Sequence, residues 1–181
     1  MTELEQLNDR VTDADPMIEI QVDELYTTLV NSDALEMAAL ATLARCGAPP
    51  AALTLVITDD DAVQALNRDY RGIDAPTDVL SFAAHDASDE GMALVTPPEL
   101  ADELAAYLGD IIIALPYATR QAAHYGNSLD DELRLLTVHG VLHLLGHDHA
   151  TPAEDDAMWQ IQAAVLQEAG AGVLVRRVFE E

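Results

Sequence analysis

The sequence predicts a single α+β domain, a small mixed sheet of about four strands packed with helices. Three observations carry that expectation. At 181 residues the chain is long enough for one compact core and too short for two ordinary ones. Half the residues are hydrophobic but only 4% are aromatic, so the core must rest on Leu, Val, Ile and Ala. Short β-branched runs are also interleaved with stretches of helical periodicity along most of the length, a pattern that by itself fits an α/β or an α+β sandwich. Strand order is not contained in that pattern.

Residues 1–15 are acidic and polar and read as a solvated tail ahead of one domain over 16–181. From Pro16, MIEIQV alternates apolar and polar positions, as a half-buried strand does. Asn31-Ser32-Asp33 offers an N-cap for ALEMAALATLARC, and Gly47 a stop before Pro49-Pro50. ALTLVIT (Ala52–Thr58) reads as a buried strand. Asp59-Asp60-Asp61 caps a second helix, AVQALNRDY, which ends near Gly72. Asp78 to Ala83 reads as a third strand. The acidic stretch from His85 to Ala106 reads as a loop containing one helical segment, PPELADELAAY. Gly109 to Leu115 is a strongly β-branched fourth strand, and Pro116 suits the first turn of the helix after it. A longer helix is expected from about Leu129 to Leu145, and a last one from Thr151-Pro152 to Gly170.

Charge narrows the function. Thirty-three acidic residues face eight basic ones, all Arg, for a formal net charge of -25. Hydrophobicity this high excludes a disordered acidic chain. The acid excess excludes a basic nucleic-acid coat, a polybasic membrane anchor and a calmodulin-target helix. A single Cys, Cys46, excludes an internal disulfide and suits a reducing compartment. The polar start and the absence of any apolar run near the ~20 residues of a membrane span point to a cytoplasmic protein.

Four of the six His residues fall in one eleven-residue stretch, HGVLHLLGHDH, from His139 to His149. His139 and His143 are one helical turn apart on the same face, so two imidazoles can reach one cation. Gly146 follows where a left-handed residue can reverse the chain. His147 or His149 on the return can then close the ligand set. Three His ligands leave a fourth position open, the arrangement of a catalytic zinc site. A lone His on an apolar helix face is usually a packing residue, but four such rings together would leave many buried ring nitrogens unsatisfied without a cation.

The spacing His139, His143, Gly146, His149 is that of the metzincin pattern H-E-x-x-H-x-x-G-x-x-H, so a metzincin-like zinc helix and turn is expected. The protease motif places its general-base Glu second, where this chain has Gly140. Glycine cannot take a proton, which argues against ordinary zinc-protease chemistry.

HGVLHLLGHDH resembles the H-G-x-L-H-L-x-G-[YH]-D-H motif of the bacterial YbeY family, single-strand-specific endoribonucleases of ribosomal RNA maturation. LNRDYRGIDAPTDVLSF, from Leu66 to Phe82, is similar to that family's L-N-x-x-Y-R-x-x-x-x-P-T-D-V-L-S-F segment, and Leu108-Gly109-Asp110-Ile111 is a third, weaker match. The resemblance runs from the first strand to the last helix. It implies one Zn2+ per chain held by His139, His143 and His149, with His147 left as a wall residue. It makes Arg71 the cationic residue of the active cleft, working with the zinc-bound His139 site in catalysis. The implied substrate is single-stranded RNA, the 3′ end of 16S rRNA, with the ribosome or its proteins as partner and neither DNA nor membrane. Where the family tends to an acidic residue in the last helix, this chain has Gln162.

Zinc brings the pKa of a bound water down to about 7, so no carboxylate base is required. Charge developing on a phosphate is answered bidentately by a guanidinium, the role expected of Arg71 unless it pairs with Asp69 or Asp74 instead. Arg68 and Ser81 are expected to help bind substrate, with Thr77 and Asp78 either lining the cleft or forming the turn before a strand. Asp148 is expected to orient a ligand imidazole or cap the turn. The acid excess opposes a polyanionic substrate, so either Arg68, Arg71, Arg120 and Arg134 gather near the cleft or a partner supplies local concentration. Two other classes stay open: a zinc hydrolase of a peptide or small molecule, and a non-catalytic ribosome-assembly factor with structural zinc.

Overall fold

The computed structural model describes residues 16–84 and 105–172. Strand β1 (Met17–Val22) alternates exposed and half-buried positions, as its sequence does. A short 3-10 turn, Glu24–Tyr26, follows it, too short to leave a periodic trace in the sequence. Helix α1 (Ser32–Arg45) starts where Asn31 Oδ1 accepts the N–H of Ala34 at 3.2 Å. Strand β2 (Ala52–Thr58) leads into α2 (Asp60–Arg71), capped by Asp59 Oδ1 on the N–H of Ala62 at 2.8 Å. Strands β3 (Val79–Ala83) and β4 (Tyr107–Ala114) precede α3 (Leu115–Tyr125), α4 (Leu129–Leu144) and α5 (Pro152–Glu168).

Two expected boundaries move. Tyr107 opens β4 rather than ending a helix, because its hydroxyl is 2.8 Å from both Thr54 Oγ1 on the neighbouring strand and Asp110 Oδ1. Cross-strand contacts there outweigh local helical periodicity. Leu115 begins α3 instead of ending the strand. The tail over 1–15 and the acidic stretch over 85–104, with most of its expected helix, lie outside the described residues.

The strands lie in the order β1-β2-β4-β3, with β1, β2 and β4 parallel and β3 antiparallel on the edge. The alternation of β2 and β4 sends Leu53, Leu55, Ile57, Ile111 and Ile113 to one face, against α1 and α4. Each fully buried aliphatic side chain of this kind contributes about 1.5–3 kcal/mol. The other face packs Ile112 and Ala114 against Val63 of α2. Helix α4 is apolar nearly all round because it is enclosed, with the sheet on one side and Met158, Val165 and Leu166 of α5 on the other. A helix so enclosed can hold polar side chains only where they find partners. Its histidines are such side chains.

Candidate metal centre

Helix α4 is fixed at its start by Ser128, whose Oγ accepts the N–H of Asp131 at 3.1 Å, with Asp130, Asp131 and Glu132 in the positive first turn. At its end Gly146 takes φ +85°, the N–H of Gly146 reaches the carbonyl of His143, and that of His147 reaches the carbonyl of Leu142, both at 2.9 Å. This left-handed closure reverses the chain. Asp148 Oδ1 then accepts the N–H of His149 at 2.7 Å, and the Thr151–Glu154 capping box starts α5. His149 is thereby held between two defined helix ends and folded back towards α4.

The result is a compact group of three imidazoles. Nitrogen atoms of His139, His143 and His149 lie within 4.8 Å of one another, and together they could hold a metal ion. Nε2 of His139 and Nε2 of His143 are 3.0 Å apart. The His139 and His149 rings are stacked at 5.4 Å, and His143 stands edge-on to both, at 4.5 and 5.1 Å. His139 is 3% exposed and the other two are half-buried, so a cation here would be backed by protein on the His139 side. The donor set fits zinc: three borderline-soft nitrogens converging from a helix face and its return turn. Such a set leaves a coordination position for a further ligand. His147 stands apart, its Nε2 4.0 Å from Cys46 Sγ, whose thiol pKa burial pushes up. The geometry thus brings together the three His residues that the spacing selects and leaves His147 against α1.

Gly140 also has a structural reason. A Cβ there would lie 2.7 Å from Cγ2 of Ile111, a residue with no exposure, so α4 rests directly on β4. Any side chain at this position would have to displace Ile111.

The remaining expected residues are spread more widely. Ser81 pairs with Ile111 across the β3–β4 ladder, which puts its side chain on the α4 face of the sheet. Asp148 orders the turn through a backbone N–H. Thr77 and Asp78 form the turn before β3: Asp78 accepts the N–H of Val79 at 2.8 Å, the Thr77 hydroxyl at 3.2 Å and the Gln121 amide at 3.0 Å. Asn67, 4% exposed, steadies the preceding loop by donating to the carbonyl of Ala75 at 2.8 Å.

Arg71 is exposed at the end of α2, the helix on the opposite sheet face. No described contact joins it to the histidines. The acids that would neutralise it are engaged elsewhere, Asp69 with Arg68 at 2.9 Å and Asp74 with Gln64 at 2.9 Å. The Asp69 bond raises the pKa of Arg68 and ties that side chain down. Arg120 pairs with Asp60 at 2.7 Å and Arg134 with Asp131 at 3.5 Å. Beside Arg71, Tyr70 is 71% exposed and meets Phe82 edge-on at 5.2 Å, at the wall of a cavity of about 390 Å³ also lined by Val56, Leu66, Asp110 and Ile112.

One buried residue was not selected by spacing. Gln162 of α5, 3% exposed, places Oε1 2.9 Å from Nδ1 of His139. The resemblance marked this position as a departure from the family's acidic residue, without saying what the side chain touches.

A family model described as Endoribonuclease YbeY matches residues 11–170. An Endoribonuclease YbeY from Roseiflexus sp. (strain RS-1) is 42% identical over 162 residues, covering 88% of this chain and 97% of the relative. One from Moorella thermoacetica is 48% identical over 155 residues, covering 86% and 90%. A solution structure of a protein from Thermotoga maritima has the same fold, with a TM-score of 0.50, 20% identity, and coverage of 89% of this chain and 100% of that one.

Proposed function

The chain belongs to the Endoribonuclease YbeY family, and from that premise we propose that it is a zinc-dependent, single-strand-specific endoribonuclease of ribosomal RNA maturation. It is a hydrolase of the nuclease class with RNA as its substrate. The proposal adds one zinc ion per chain, the 3′ end of 16S rRNA as target, the ribosome as partner and the cytoplasm as location. Among the described residues no helix is long and apolar enough to cross a membrane. The observation that carries the reading is the convergence of His139, His143 and His149 within 4.8 Å.

Zinc held by these residues would supply Lewis acidity towards a phosphoryl oxygen and a water acidified to near neutral pH. The protein supplies the rest. Three imidazoles fixed by the helix and its return turn set where the phosphodiester must lie. Arg71, with no acid partner among the described residues, is assigned to the phosphate charge, and Arg68 and Ser81 to substrate binding. Asp148 keeps His149 in place through the backbone of the turn. Gly140 weighs against a peptide hydrolase of the metzincin type, because the position that carries the general base there is a glycine packed on Ile111.

The test is a gel assay on single-stranded and duplex RNA alongside zinc analysis, for the natural sequence and His139→Ala. Single strands should be cut, duplex spared, and cleavage and zinc lost together in a folded variant. Casein cleavage with intact RNA would overturn the reading.

A further inference from the structure

An imidazole offers a cation one nitrogen, and the bond made by the other nitrogen decides which one. For His139 that bond is visible. Its Nδ1 lies 2.9 Å from Oε1 of Gln162, and an amide oxygen can only accept. The contact therefore requires the proton on Nδ1 and leaves a lone pair on Nε2, the atom that faces Nε2 of His143 at 3.0 Å. Both partners are 3% exposed, so water does not compete for either. Gln162 cannot drift, because it shares the buried face of α5 with Met158, Val165 and Leu166, which pack on α4.

We propose that Gln162 is a positioning residue of the metal centre, holding His139 in its Nδ1–H tautomer without placing a charge behind it. This rests on the zinc reading above. Metal-bound histidines commonly donate to a carboxylate, a backbone carbonyl or water, and a carboxylate also makes the ring a stronger donor. A side-chain amide gives the orientation alone. With three neutral ligands and a neutral partner behind the most buried one, a bound dication keeps its charge undiminished by this side of the site. A carboxylate at 162 would hold the cation more tightly. In the metal-free protein it would be a buried anion with one neutral hydrogen-bond partner, which is costly. The amide therefore favours a metal-free fold that is stable in its own right, at the expense of affinity.

The experiment compares the natural protein with Gln162→Leu and Gln162→Glu by two measurements. One is the nitrogen-15 shifts of His139 in zinc-free protein, which report the tautomer. The other is zinc affinity by chelator competition, and no RNA is used. The natural protein should show the Nδ1–H tautomer. Gln162→Leu should lose that preference and bind zinc about 10–100-fold more weakly. Gln162→Glu should restore the tautomer and bind zinc at least as tightly as the natural protein, with a lower zinc-free melting temperature and a larger rise on zinc addition. Should Gln162→Leu not fold, Gln162→Glu decides: weaker zinc binding than the natural protein overturns the proposal. Unchanged tautomer and affinity in Gln162→Leu also overturn it. Absence of zinc binding in the natural protein would instead overturn the zinc reading itself.

Discussion

Replacing Gly140 with Ala tests how closely α4 is pressed onto the sheet. The added Cβ would lie 2.7 Å from Cγ2, 3.0 Å from Cδ1 and 3.1 Å from Cγ1 of Ile111. Carbon atoms prefer about 3.5–4.0 Å, so roughly 1 Å must be found in a region with no free space. Overpacking of this kind costs about 1–3 kcal/mol. Removing a glycine from a helix interior returns about 0.8–1 kcal/mol. The net expectation is a loss of about 0–2 kcal/mol, too small to interpret alone. The decisive comparison is the same substitution with Ile111→Ala, which removes all three crowded atoms. There Gly140→Ala should stabilise by about 1 kcal/mol, so the two backgrounds differ by about 1–3 kcal/mol of coupling. Urea unfolding reads this as a change in midpoint at constant slope. Zinc content should not change, since the three histidines move with the helix and its turn. Equal stabilisation in both backgrounds would show that the approach of α4 to β4 does not constrain position 140.

Arg71→Ala should leave zinc content and melting temperature unchanged and slow cleavage of single-stranded RNA by about 10²-fold or more, with Arg71→Lys recovering only part. An unchanged rate would remove Arg71 from the reaction. His149→Ala should abolish stoichiometric zinc, whereas His147→Ala, which disturbs only a 4.0 Å approach to Cys46, should keep it; the reverse result by elemental analysis would reassign the third ligand. RNA affinity of a zinc-loaded, cleavage-impaired Arg71→Lys variant should fall only gently with salt, with a log–log slope of about 1–2 in magnitude, each neutralised phosphate on a single strand contributing about 0.7. A slope near 5 would mean many more cationic contacts than the paired arginines allow.

What the sequence made legible is what is local. The eleven residues from His139 to His149 contain the helix face, the left-handed stop and the return, so three of the elements of a metal site could be read from spacing. The caps at Asn31, Asp59 and Thr151 were legible for the same reason, each acting within three residues of itself. The boundary at Tyr107 was not, because the Thr54 hydroxyl that holds it is 53 residues away in sequence. Gln162 was legible only as a departure from the family's acidic residue; its contact with His139 across 23 residues was not, because nothing in α5 alone says which helix it will face. Gly140 was legible as the absence of a base, but its packing on Ile111 was not.

The same division bears on how an acidic chain can handle a polyanion. The candidate metal ligands all come from α4 and its turn, a unit whose geometry needs no charge from the rest of the molecule. Among the described residues Arg45, Arg68, Arg120 and Arg134 each stand beside a carboxylate. An exposed pair of this kind contributes little stability, but it does cancel the field that would draw in phosphates. Among the described residues Arg71 is the arginine left without such a partner, and it sits next to the most exposed aromatic of α2, Tyr70. Beyond about 8–10 Å salt screens charge of either sign at physiological ionic strength, so the field of Arg71 acts on a phosphate only at short range. Recognition of RNA through so few unpaired cations would be short-range, which is why a shallow salt dependence is expected. On the proposed reading a ribosomal partner would supply local concentration, and the check is cleavage of the same RNA free and on the particle: a higher rate on the particle at equal RNA concentration is expected, and equal rates would remove the need for a partner.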